Sequence, residues 1–133
     1  SEEFISLVVL VFDTEAETMR YASAGHPATF LWHGREVRPL RSTGPLLMLT
    51  SDATYFSREI PLARDDMAVM YTDGLAEARS GDELFGEERI GDMVRRNPGI
   101  SPGVLCKQLL DAANDFSAGM VQDDLAILAV RKT

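Results

Sequence analysis

The run Met67-Ala68-Val69-Met70-Tyr71 and its ending, Thr72-Asp73-Gly74, constrain this chain more than any other stretch. A short, unbroken apolar run closed by a turn signal fits a buried strand. Asp73 then stands where the strand leaves the core and the backbone turns. A carboxylate in such a place is costly unless something positive faces it, and a metal ion or a basic side chain would serve. The competing reading is that Asp73 caps the turn or helix that follows, a frequent task for aspartate.

Near the C-terminus the order is reversed. In Gln122-Asp123-Asp124-Leu125-Ala126-Ile127-Leu128-Ala129-Val130, two carboxylates open an apolar strand. If the two strands pair antiparallel, the end of one lies beside the start of the other, and Asp73 converges with Asp123 and Asp124. Like charges brought together repel unless a cation joins them. Hard oxygen donors of this kind suit Mg²⁺ or Mn²⁺ rather than zinc.

The bulk properties narrow the partners. Net charge is −8, from 13 basic and 21 acidic residues. That argues against a nucleic-acid binder, which needs a basic face. It leaves room for a phosphoprotein substrate if a metal supplies the positive charge. Cys106 is the one cysteine, so no intrachain disulfide can form, and a reducing, cytoplasmic setting is expected. Cys106 itself reads as a small core residue. No signal peptide is evident, and no apolar run approaches the roughly 20 residues needed to cross a bilayer.

Taken in order, residues 5–12 and 123–131 read as central strands, being nearly continuous in apolar residues. Residues 18–22, 28–32, 36–40 and 54–62 read as further strands, joined by turns. His26, in a loop of small residues, reads as a hydrogen-bonding structural residue. His33 reads as a solvated turn residue, and Asp65-Asp66 as a solvated hairpin turn. Leu46-Leu47-Met48-Leu49 either folds back on the core or forms an interaction surface. Helical patterns follow at residues 87–96 and from Ser101-Pro102 onward. In the second helix Leu105, Leu109, Ala112, Ala113 and Phe116 form one stripe, and Gly119 is the terminator. The result is an α+β pattern: mainly antiparallel strands, with a pair of helices before the last strand.

Four motifs carry a resemblance. They are Tyr21-Ala22-Ser23-Ala24-Gly25-His26-Pro27, Tyr71-Thr72-Asp73-Gly74-Leu75-Ala76-Glu77-Ala78, Glu83-Leu84-Phe85-Gly86-Glu87-Glu88-Arg89 and Asp123-Asp124-Leu125-Ala126. In this order they resemble the PPM (PP2C-like) phosphatases of the bacterial SpoIIE/RsbU branch. The resemblance implies a β-sandwich flanked by helices and a metal-dependent phosphatase acting on phosphoserine or phosphothreonine. It also implies two Mn²⁺ or Mg²⁺ ions at one end of the sandwich. The family's strand-end aspartate falls on Asp73 and its late aspartate on Asp123, with Asp124 beside it. The implied partner is a phosphorylated anti-anti-sigma-factor-like protein.

The resemblance covers only the C-terminal part of a family catalytic domain. The early metal motifs of the family, including its bridging aspartate, have no counterpart, and the family's usual threonine is replaced by Ala126. The abrupt entry into the first strand also suggests a piece cut from a longer domain. A cut sandwich would expose strand edges, which invite homo-oligomer formation. The alternative function is a non-catalytic module of the same fold that binds a partner.

Overall fold

The computed structural model describes residues 5–34, 36–45, 47, 52, 54–120 and 124–133. The β-branched N-terminal run forms β1 (Leu7–Asp13), which turns back into β2 (Thr18–Ala24). The Asp13 carboxylate makes the turn by accepting from the N–H groups of Glu15 and Ala16 at 3.1 and 2.9 Å. β3 (Thr29–His33) and β4 (Glu36–Leu40) form the next hairpin, followed by β5 (Arg58–Pro61) and β6 (Met67–Tyr71). Then come α1 (Asp73–Ala76), the small hairpin of β7 (Arg79–Ser80) and β8 (Glu83–Leu84), α2 (Gly86–Arg95), α3 (Pro102–Phe116) and β9 (Ile127–Arg131).

Among the described residues the strands form two antiparallel sheets, β1-β2-β5 and β4-β3-β6-β9, besides the small β7-β8 pair. Successive side chains of a strand point to opposite faces, and the four-stranded sheet uses both. Leu31, Leu40 and Ala68 face the other sheet and meet Met19, Tyr21 and Leu62. Phe30, Met67, Val69 and Tyr71 face the helices and meet Ile90, Val94, Leu105, Leu109 and Ala113. The unbroken apolar run of β6 follows from this position between two cores. Full burial of one such side chain contributes about 1.5–3 kcal/mol.

α3 starts as its sequence implies. The Ser101 hydroxyl accepts from the Val104 N–H at 3.3 Å, and Pro102 fills the first turn. Leu105, Leu109 and Ala113 are fully buried. Past its end, the Gly119 N–H donates to the Asn114 carbonyl at 2.7 Å with a φ of 78°, the left-handed conformation that glycine adopts without strain.

Several expectations are corrected. Among the described strands β1 and β9 stand at sheet edges and not at the centre. Ile5, Leu7, Val9 and Val11 stand out on the open face of β1, and Leu128 is exposed on β9. An apolar run records what a strand can bury against, not how many neighbours it has. β5 begins only at Arg58, and β9 only at Ile127. Asp66 is not solvated but 2% exposed, and His33, still half-exposed, is not a turn residue but the last of β3, with its Nδ1 2.6 Å from the Asp66 carboxylate. Of the stretch at 46–49, only Leu47 lies within the described residues; it exchanges backbone hydrogen bonds with Ile5.

Candidate metal centre

β6 pairs with β9 through Tyr71 and Ile127, so the end of one lies beside the start of the other. Thr72 prolongs the pairing. Its backbone is extended (φ −88°, ψ 164°), and its N–H donates to the Ala126 carbonyl at 3.0 Å. Its hydroxyl donates to the Asp124 carbonyl at 3.1 Å and accepts from the Ala126 N–H at 2.9 Å. The backbone of Asp73 is thereby held next to the backbone of Asp124.

Asp73 opens α1, but the N-cap position belongs to Thr72, and no side-chain capping bond is made. The Asp73 carboxylate is exposed and has no hydrogen bond or ion pair among the described residues. Capping therefore does not occupy it. Asp124 is likewise exposed, and its carboxylate has no partner among the described residues. Asp123, the other aspartate expected here, lies outside the described residues. Two unneutralised carboxylates on adjoining backbone segments are the hard donors that Mg²⁺ and Mn²⁺ take, so the donor chemistry fits. Among the described residues no three His, Cys, Asp or Glu side chains gather into a complete metal-holding group.

The back of the site is built by hydrogen bonds. His26 Nε2 lies 3.0 Å from the Tyr71 carbonyl, and Nδ1 lies 3.1 Å from the Ser6 hydroxyl. A carbonyl only accepts, so Nε2 carries the hydrogen, and in the neutral ring Nδ1 accepts from Ser6. His26 thus fulfils its expected structural role and braces the strand that delivers Asp73. The loop after β4 is fastened to the chain just before His26. The N–H groups of Thr43 and Gly44 donate to the Ser23 carbonyl at 2.8 and 3.0 Å, and the Ser42 hydroxyl accepts from the Gly25 N–H at 2.8 Å. A Cβ at Gly44 would stand 2.5 Å from the Tyr55 ring, so a larger residue there would have to displace that side chain.

Tyr71 is buried and its ring stacks on Phe30, with centroids 6.2 Å apart. Burial pushes its phenol well above the usual range. The Glu87 carboxylate adds to the rise, the Arg41 guanidinium opposes it, and Asp73 contributes a smaller rise. Tyr71 is therefore a neutral hydroxyl, not a base. The feature that sequence reading missed is Thr72. Its only signal was a hydroxyl-bearing, β-branched residue placed immediately before the aspartate.

The chain is similar to several known proteins. Protein IcfG of Synechocystis is 30% identical over 129 residues, covering 96% of this chain and 20% of that protein. The phosphoserine phosphatase RsbU of Bacillus subtilis is 21% identical, covering 97% of this chain and 39% of that protein. The chain thus spans well under half the length of these relatives. The PP2C domain of SiaA from Pseudomonas aeruginosa shares the fold, with a TM-score of 0.82 at 21% identity over 95% of this chain and 51% of that one. So does a manganese-presoaked phosphatase domain of SpoIIE from Bacillus subtilis, with a TM-score of 0.76 at 17% identity over 96% and 56%. The family model of Stage II sporulation protein E matches residues 1–133. With that match running the length of the chain, and the α+β sandwich shared with these domains, the chain belongs to the SpoIIE family of PP2C-type phosphatase domains.

Proposed function

We propose that this chain is the C-terminal portion of a catalytic domain whose parent is a metal-dependent protein serine/threonine phosphatase. Asp73, Asp123 and Asp124 would be its ligands to Mn²⁺ or Mg²⁺. The observation that carries this reading is the bare Asp73 carboxylate held beside the Asp124 segment, in a chain matched throughout by the SpoIIE family. Bound there, the ion supplies an activated water and neutralises phosphate charge. The chain's own part is to present the carboxylates, to fix their backbones through Thr72 and His26, and to keep Tyr71 neutral. No side-chain nucleophile is called for. The Cys106 thiol, raised by burial, lies against β9 with its Sγ 3.9 Å from the Ile127 carbonyl.

The substrate in this reading is a phosphorylated anti-anti-sigma-factor-like protein in the cytoplasm; the likeness to the phosphoserine phosphatase RsbU supports its phosphoserine part. No described helix is long and apolar enough to cross a membrane. A second reading, a non-catalytic binding module, is favoured by one observation: the described carboxylates fall short of a complete ligand group.

Calorimetry and thermal unfolding with MnCl₂ test the proposal. The wild-type chain should bind Mn²⁺ weakly and melt higher with it, and Asp73→Asn and Asp123→Asn should each lose that gain. A wild-type chain indifferent to Mn²⁺ and Mg²⁺ would remove the metal reading. Hydrolysis of p-nitrophenyl phosphate by the chain alone should be slow or undetectable; robust turnover would refute the need for further ligands. The open edge of β1 should also drive self-association, and a strictly monomeric light-scattering profile would count against it.

A further inference from the structure

Thr72 occupies the N-cap of α1 yet makes no capping bond with its side chain. A threonine there ordinarily offers its oxygen to an N–H of the first helical turn. Instead the hydroxyl is turned across to the other strand, where both its donor and an acceptor lone pair are used. It donates to the carbonyl of Asp124, a residue that also carries one of the bare carboxylates, and accepts from the N–H of Ala126. A longer contact to the Ala126 carbonyl, at 3.5 Å, competes for the same hydrogen. Ala126 has only a methyl group to offer, so this side-chain link rests on Thr72.

We propose that Thr72 is a positioning residue. Its hydroxyl fixes the separation of the Asp73 backbone from the Asp124 backbone and thereby sets the affinity of the site for a divalent cation. The inference rests on the metal reading above. Its physical basis is preorganisation: two like-charged carboxylates drift apart unless the backbones that carry them are tied, and a partner that orients ligands typically changes metal affinity by about 10–100-fold.

Thr72→Val is the direct test. Valine keeps the shape, the strand preference and the backbone bond to Ala126 but removes the hydroxyl; Thr72→Ser restores it. Calorimetric titration of the 133-residue chain with Mn²⁺ alone should show Thr72→Val binding about tenfold more weakly or worse. Thr72→Ser should stay close to wild type. A merely structural Thr72 would lower the melting temperature in EDTA and leave Mn²⁺ affinity unchanged, which overturns the proposal. So would a serine variant as weak as valine. A wild-type chain that binds no Mn²⁺ fails earlier, at the metal reading itself, and takes this inference with it. A measurement on wild type covers the case in which valine unfolds the chain. Because coupling is reciprocal, Mn²⁺ should slow amide exchange at Ala126, and an unchanged rate overturns the link.

Discussion

β6 has a carboxylate at each end, and the two are treated in opposite ways. Asp66, just before the strand, is 2% exposed. Its Oδ2 takes the His33 ring at 2.6 Å and the Ala63 N–H at 2.8 Å, and its backbone carbonyl accepts from the Lys132 N–H at 2.9 Å. Asp73, just past the strand, is exposed and has no partner among the described residues. A buried carboxylate has to be satisfied by the fold. An exposed, unpartnered one is not used up by folding and is free for a ligand. Standing at a strand end therefore says little about function; the company that the side chain keeps says more.

The strongest way to break this contrast is to remove Asp66. Asp66→Ala strips the acceptor from the Ala63 N–H and from His33 and empties a buried position, at a cost of about 2–3 kcal/mol. Urea unfolding should show a lower midpoint with an unchanged slope. A loss no larger than that of an ordinary surface substitution, about 0.5 kcal/mol, would mean that Asp66 is as loosely held as Asp73.

Tyr71, at the Asp73 end, gives an intermediate effect that depends on pH. Its folded phenol titrates above the unfolded one, for which the ordinary value is 10.0. The folded state therefore keeps a proton that the unfolded state releases. Stability from this group is complete below pH 10 and falls as pH rises above it, by at most about 1.4 kcal/mol per pH unit. Other groups titrate in the same range, so the informative quantity is the difference between wild type and Tyr71→Phe. The variant should show a flatter decline above pH 10. Parallel curves would show that the ring is not held in the buried, acid-flanked setting described here.

What was legible in the sequence follows the same line. β6 and α3 were readable because each writes its burial into a local pattern, an unbroken run in one and a helical stripe in the other. That the backbone leading into Asp73 runs beside Asp124 was readable on one condition, that β6 and β9 pair antiparallel, and they do. The edge placement of β1 and β9 was not readable, because neighbour number is a property of the sheet and not of the strand. The burial of Asp66 was hidden for a related reason: its partner, His33, is 33 residues away. Nothing local separates an aspartate that meets a distant histidine from one that meets water. Thr72 was not singled out, since nothing local shows that its hydroxyl serves the neighbouring strand and not the cap of α1.

The smallest effect is the sharpest test of the contrast. In EDTA, Asp73→Asn should change unfolding free energy by no more than about 0.5 kcal/mol, because no bond is lost with the charge. Two weak terms oppose each other. Asparagine forfeits the attraction of a carboxylate to the start of a short helix, and it relieves repulsion from Asp124 across the β6–β9 pairing. Both are exposed and screened, so added salt should shrink whatever difference remains. A metal-free loss of about 1 kcal/mol or more, insensitive to salt, is the size expected for a lost cap. Asp73 would then be spoken for by the fold, as Asp66 is, and its claim on a cation would lapse.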